Sequence, residues 1–126
     1  MEYNEWEDGC PLLLTQRILL GKWKLSIIWF LSTNGTMRYT QLQKAFDDSS
    51  LTSKMLTQHL KELQKDNLIH RESFNVVPPK TEYSLTELGK SFIPVLIAME
   101  DWGKYYITQC KNDALNDLIT SVDINE

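Results

Sequence analysis

The spacing of apolar and polar residues between positions 51 and 66 predicts an amphipathic helix. Leu56, Leu60 and Leu63 recur at helical spacing and form one apolar stripe. Thr52 can cap the helix by accepting hydrogen bonds from the free N–H groups of its first turn. The opposite side carries Lys54, Gln58, Lys61 and Lys65. Taken alone, this pattern fits a DNA recognition helix, but an ordinary surface helix with a solvated lysine face is the commoner case.

Two apolar helices are predicted near the N-terminus. Pro11 suits the first position of a helix, where a missing N–H costs nothing, and Gly21 is predicted to end that helix. Residues 22–32 form a second helix that is apolar on most sides, so it belongs in the core. The pair Asn34 and Gly35 then signals a turn.

A helix-turn-helix is predicted from the order of the next segments. Residues 37–39 form a short stub that favours an edge strand, and Thr40 can cap a brief helix over residues 41–46. The polar loop 47–50 leads directly into the amphipathic helix. Two helices joined in this way, the second with an exposed polar face, are typical of a helix-turn-helix.

Two strands are predicted directly behind the amphipathic helix. Residues 68–74 and 81–85 are strand-like, and the second run alternates apolar and polar positions. Pro78 and Pro79 stiffen the connecting loop and exclude a two-residue hairpin turn. The predicted fold is therefore mainly α with a small β-hairpin wing, a winged helix-turn-helix that we expect to dimerise through its N- and C-terminal helices.

The C-terminal part predicts a dimerisation helix. Thr86 caps it, and Pro94 should kink or offset it. Because the helix is apolar on nearly every face, we expect it to pack on its own core with one side and on a second subunit with the other. Residues 115–122 predict a short last helix in the same interface. The predicted interface residues are Ile93, Leu96, Ile97, Met99, Trp102, Tyr106, Leu115, Leu118 and Ile119.

Composition restricts the class of protein. A chain of 126 residues is expected to form a single domain, residues 1–126, and no run of about 18 apolar residues predicts a membrane span. The acidic N-terminus lacks the features of a secretory signal, which favours a cytoplasmic protein. Two cysteines 100 positions apart and two histidines predict neither a disulfide framework nor a metal site. No arrangement of catalytic residues can be recognised in the sequence, so we expect neither an enzyme nor a cofactor.

The distribution of charge matters more than the net charge of −4. Residues 91–126 carry six acidic and two basic groups, whereas residues 38–90 carry eight basic and seven acidic groups. The negative excess therefore lies outside the predicted helix-turn-helix. A DNA-binding protein needs a local basic face and not a basic chain.

Several short stretches occur in an order typical of one family of regulators. They are CP at 10–11, LGKW at 20–23, RYTQL at 38–42, KMLTQHLKEL at 54–63, VPPKTEYSLT at 77–86 and DWG at 101–103. Across residues 10–103 the chain thereby resembles the HxlR-type transcriptional regulators, which leaves 104–126 as a dimerisation extension. The resemblance implies a homodimeric, MarR-like winged helix-turn-helix protein that represses or activates bacterial genes. Lys80 departs from the family's usual arginine, so it keeps the charge but loses the bidentate fork.

The partner implied is a double-stranded, palindromic DNA operator. Gln58 can pair with adenine and Lys54 with guanine or a phosphate, whereas Lys61 and Lys65 are expected to meet the DNA backbone. The predicted DNA-binding residues are Arg38, Thr40, Gln41, Ser53, Lys54, Thr57, Gln58, Lys61, Lys65, Arg71 and Lys80. The alternative for each is a solvated surface residue, and the alternative for the whole chain is a winged-helix protein-interaction module that does not read DNA.

Cys10 is the candidate sensor. It precedes Pro11 at the start of the first helix, where the helix dipole and free N–H groups favour a thiolate, although Glu7 and Asp8 oppose it. The resemblance implies that this cysteine can sense an oxidant or small electrophile. The alternative is a structural cysteine without a regulatory role.

Overall fold

The computed structural model describes the backbone of residues 9–124 and the side chains of residues 9–118. The chain divides into a compact unit that ends at Ile93, the head unit, and a second unit that begins at Pro94, the helix unit. The elements are α1 (Pro11–Ile18), α2 (Lys24–Asn34), β1 (Met37–Arg38), α3 (Tyr39–Ala45), α4 (Ser53–Lys65), β2 (Ile69–Phe74), β3 (Lys80–Leu85), α5 (Glu87–Lys90) and α6 (Ile93–Ile124). This mainly α fold with a small hairpin confirms the predicted architecture.

The first helix is shorter than predicted, and the second is shifted by two positions. α1 has Pro11 at its first position, but it is capped at Leu19, so the prediction that Gly21 ends it is wrong. Gly21 instead has φ 151°, and a Cβ added there would lie 2.9 Å from Cε1 of His59. Glycine is therefore required because the backbone passes close to a side chain of α4. α2 begins two positions later than predicted, at Lys24, and is central to the core as expected.

The first helix of the helix-turn-helix begins two residues earlier than predicted. Arg38 is the N-cap of α3, and Thr40 lies inside the first turn, so the prediction that Thr40 caps this helix is wrong. The physical reason is a side chain from further along: Oε1 of Gln41 accepts a hydrogen bond from the Arg38 N–H at 2.8 Å. In the loop before α4, the Ser49 hydroxyl donates to the Phe46 carbonyl at 2.6 Å.

The amphipathic helix is confirmed as α4. The Thr52 hydroxyl oxygen accepts from the Met55 N–H at 3.1 Å and caps it. Leu56, Leu60 and Leu63 are all buried and turn one face of α4 into the core. The helix ends at its C-cap Asp66.

The wing is a three-stranded antiparallel sheet in the order β1-β3-β2. β3 pairs with β2 from Ile69 opposite Leu85 to Phe74 opposite Lys80, and with β1 through Met37 opposite Tyr83. The predicted edge strand is therefore confirmed, and it ties the start of the helix-turn-helix to the hairpin. The two hairpin strands are joined by the proline-containing loop 75–79.

The C-terminal helices differ from the prediction in two ways. Thr86 caps α5 as expected, since its hydroxyl oxygen accepts from the Gly89 N–H at 3.0 Å. The single predicted helix is divided in two, because α5 ends at Lys90 and α6 begins at Ile93, and Pro94 lies in the first turn of α6, where its missing N–H costs nothing. The separate helix predicted for residues 115–122 is wrong, because α6 runs without interruption to Ile124. Residues 111–114 contain no proline or glycine to end it.

Candidate nucleic-acid interface

One face of α4 is polar and open to solvent. Ser53, Lys54, Gln58, Lys61 and Lys65 are exposed, whereas Thr57 is half-buried. Within the described part of the chain, no carboxylate lies within ion-pair distance of the three lysines on this face. Their charges are therefore available to an external polyanion.

Two side chains of this face are held by α3. The Tyr39 hydroxyl and Thr57 Oγ1 share a hydrogen bond of 3.0 Å, and Nε2 of Gln43 donates to Ser53 Oγ at 2.9 Å. These contacts fix the N-terminal turns of α4 against the preceding helix. Tyr39 and Gln43 are positioning residues that the sequence analysis did not identify. The only signal in the sequence was their place in the short helix before α4.

A second group of predicted residues meets between the hairpin and the start of α3. Arg38, Thr40, Arg71 and Lys80 line one open cleft of about 650 Å³, together with Pro78 and Pro79 of the hairpin loop. The pairing of β1 with β3 brings these residues together from distant parts of the sequence. Because three of the lining side chains are cationic, the cleft suits a phosphate group. Gln41 is not among its lining residues, since it caps α3.

Lys80 is oriented by its own strand and by the residue that pairs with it on β2. Its Nζ lies 3.7 Å from Oε1 of Glu82 and 4.5 Å from the centre of the Phe74 ring. The carboxylate and the ring face attract the ammonium group and restrict its range. The side chain still has about a third of its surface exposed, so its charge reaches the cleft.

Gln58, the predicted base-reading residue, has a partner within its own helix. Its Nε2 donates to Oε1 of Glu62 at 2.8 Å, and Oε2 of Glu62 lies 2.5 Å from Nζ of Lys24. Hydrogen bonds from Lys24 and then Gln58 lower the pKa of the Glu62 carboxyl, against an opposing effect of burial. Lys24 and Glu62 were not among the residues predicted for this site. A lysine in the first turn of an otherwise apolar helix was the signal that could have found them.

His59 lies beside this group on the buried side of α4. Both ring nitrogens are shielded from solvent, and neither has a hydrogen-bond partner within the described residues. Burial lowers the pKa of His59, and the Lys24 charge lowers it further, whereas Glu62 raises it. A neutral histidine in this place is part of the core and not a DNA ligand.

Cys10 occupies the predicted place at the N-cap of α1, just before Pro11. Its thiol is free and partly exposed, and its side chain makes no capping hydrogen bond. Cys110, on α6, is also free and is exposed. Among residues 9–118, no three His, Cys, Asp or Glu side chains cluster as a metal site would require.

The helix unit exposes most of the predicted interface. Trp102 and Tyr106 stack with their ring centres 5.4 Å apart and are 65% and 56% exposed. Leu96 differs, because it is buried within the single chain, and the side chain of Ile119 lies outside the described residues. Exposed predicted residues also include Ile97, Met99, Leu115 and Leu118. None of the helices in the described part of the chain has the length and apolar composition needed to cross a membrane.

The polar face of α4, the basic cleft and the wing define a winged helix-turn-helix protein of the DNA-binding class. The chain belongs to the HxlR-like helix-turn-helix family, whose model matches residues 18–111. It is 43% identical over 99 residues to the uncharacterised HTH-type transcriptional regulator YdeP of Bacillus subtilis, covering 79% of this chain and 75% of that protein. Family membership and these relatives make this chain an HTH-type transcriptional regulator.

Solved structures also show that this chain is similar to regulators of this kind. The HTH-type transcriptional regulator YtcD of Bacillus subtilis matches with a TM-score of 0.72 and 39% identity, covering 77% of this chain and 96% of that chain. The redox regulator HypR in its oxidised form matches with a TM-score of 0.68 and 38% identity, covering 76% of this chain and 96% of that chain. Regulators of this family are not enzymes, and the rival prediction of a module that does not read DNA is not favoured.

Proposed function

We propose that this chain is a homodimeric regulator in which each α4 enters the major groove of one half of a palindromic operator. The exposed polar face of α4 beside the basic cleft carries this proposal, because a base-reading helix and a phosphate site are both needed at one surface. Lys54 and Gln58 read base edges in the groove. Its place of action is the cytoplasm, where a regulator meets its operator.

The other predicted DNA-binding residues have different roles, according to their position in the fold. Lys61 and Lys65 lie further along α4 and contact the backbone, while Arg38, Thr40, Arg71 and Lys80 hold a phosphate in the cleft. Three further predicted residues act through α3 and α4, namely Gln41, Ser53 and Thr57. The 10–103 core thus reads DNA, and the extension 104–126 contributes to dimerisation.

The test is binding of the purified protein to DNA from upstream of its own gene, in a salt series. We expect Lys54→Ala to lower discrimination at one base pair by about 1–3 kcal/mol, because one base contact is lost. Lys80→Ala should weaken binding to all sequences and reduce the salt slope by about 1, because one phosphate contact is lost.

Lys90→Ala is the matched control, since it removes an exposed lysine that pairs with Glu87 on α5. This variant should change neither the discrimination between base pairs nor the salt slope of binding. An affinity that is insensitive to salt, or an equal effect of all three substitutions, would contradict the proposed interface.

The signal proposed is an oxidant or small electrophile that acts at Cys10. The free thiol at the start of α1 supports this, and the similarity to a redox regulator adds to it. We expect diamide to change operator affinity in the natural protein and in a Cys110→Ser variant. Cys10→Ser should abolish the response, and a full response in Cys10→Ser protein would reject the sensor.

A further inference from the structure

The amide of Gln58 has a defined orientation. A carboxylate can only accept hydrogen bonds, so the amide nitrogen of Gln58, and not its oxygen, must face Oε1 of Glu62. Nε2 carries two hydrogens and gives one of them to Glu62. Oε1 of Gln58 and the second N–H are then left for a ligand at the exposed face of α4.

Glu62 is fixed in turn by Lys24. The Lys24 side chain is 4% exposed, and its Nζ lies 2.5 Å from Oε2 of Glu62. The same Nζ also donates to the Ile18 carbonyl oxygen at 3.4 Å, so it is held by the last turn of α1. One carboxylate oxygen is therefore bound from the core while the other binds Gln58. This arrangement also offsets a negative charge that would otherwise repel DNA phosphates.

We propose that Lys24 and Glu62 are positioning residues that hold the Gln58 amide in one orientation and thereby decide which base it reads. The remaining acceptor and donor of Gln58 match the N6 amino group and N7 of adenine. If the amide were free to turn over, it would also present its donors to the acceptors of guanine or thymine. The proposal rests on the proposed role of Gln58 in base reading.

The experiment uses four operators that differ only at the base pair where Gln58→Ala abolishes discrimination. In the natural protein, we expect adenine to be preferred there by about tenfold or more. Glu62→Gln keeps the size of the side chain, but its amide can donate as well as accept, so Gln58 can turn over. We expect the preference to fall to within about threefold at this base pair and to stay unchanged at the others.

A second variant and a control separate positioning from folding. Glu62→Met combined with Lys24→Met removes the acceptor without leaving the buried ammonium group of Lys24 unpaired, so it should reduce the preference for adenine at the same base pair. Glu100→Gln breaks a similarly spaced pair with Lys104 on α6 and should leave all preferences unchanged. Urea denaturation of each variant tests whether the head unit is still folded, which separates a lost base preference from unfolding.

Three results would overturn the inference. Unchanged discrimination in Glu62→Gln protein, with discrimination lost in Gln58→Ala, rejects the positioning role and leaves base reading by Gln58 intact. A weakening that is equal for all four operators shows a structural role only. Retention of every preference in Gln58→Ala rejects base reading by Gln58, and the positioning role with it.

Discussion

The head unit and the helix unit use apolar side chains in opposite ways. In the head unit, Ile27, Leu42 and Leu63 have no exposed surface, and the helices and sheet of that unit enclose them. In the helix unit, Trp102 and Leu118 are 65% and 66% exposed. Isolated exposed residues are common on proteins, but a series of them along one helix marks a surface for association.

The two units therefore obtain their stability from different sources. The head unit folds around its own core, so its stability is a property of one chain. An apolar helix without a partner becomes stable by association, which depends on the protein concentration. DNA binding and the proposed dimerisation should therefore be separable by substitution.

The largest effect is expected in the core of the head unit. Leu60 is 1% exposed, and Leu60→Ala should reduce the free energy of unfolding by about 2–5 kcal/mol because it leaves a cavity. Leu20→Ala is the matched control, since Leu20 is 75% exposed. It should change the free energy by less than about 0.5 kcal/mol. Urea denaturation measures both, and equal losses would contradict the described core.

The next effect concerns association. Trp102→Ala combined with Tyr106→Ala removes the stacked pair and should weaken the dimer by about 30-fold or more, because large aromatic residues dominate such interfaces. Sedimentation over a range of concentrations measures the dissociation constant, and Lys90→Ala, which removes an exposed lysine on α5, is the control. The head unit should unfold at an unchanged urea concentration in the monomeric form. A dissociation constant unaffected by the double substitution would refute the proposed dimer surface.

The smallest effect is a pH dependence within the head unit. Because burial lowers the pKa of His59 below 6.5, protonation favours the unfolded chain, and stability falls as the pH drops below that value. The lowered pKa of Glu62 acts at more acid pH: its contribution is present above its ordinary value of 4.5 and is lost as the pH falls through the folded-state value.

Two substitutions separate these contributions. His59→Gln should reduce the loss of stability between about pH 7.5 and pH 5.5. Glu62→Gln should increase that loss slightly, because the Glu62 charge no longer raises the pKa of His59, and it should remove the contribution that is lost at more acid pH. Urea denaturation at each pH is the measurement. An identical pH profile for His59→Gln and the natural protein would show that His59 does not contribute.

Local patterns were sufficient to predict several elements correctly. The leucine stripe of α4, its cap at Thr52 and the cap of α5 at Thr86 all depend on residues within about one turn of each other. Hairpin strands were likewise predicted from alternation and from the two prolines between them. The wrong predictions concern helix ends: at Thr40, the neighbouring Gln41 side chain closes a capping box on Arg38 that was not recognised, and at Gly21, the glycine serves a close approach to His59 and does not end the helix.

The class of fold and the exposed polar face of α4 could be predicted from the sequence alone, because helical and strand periods are set by residues that lie close together in the chain. Only the tertiary structure placed Lys24 beneath Glu62 and Gln58, and only strand pairing brought Arg38 to the same cleft as Lys80. These contacts join residues far apart in the chain. Which residues meet depends on packing and hydrogen bonding between elements. The spacing of apolar and polar residues within one element does not contain this information.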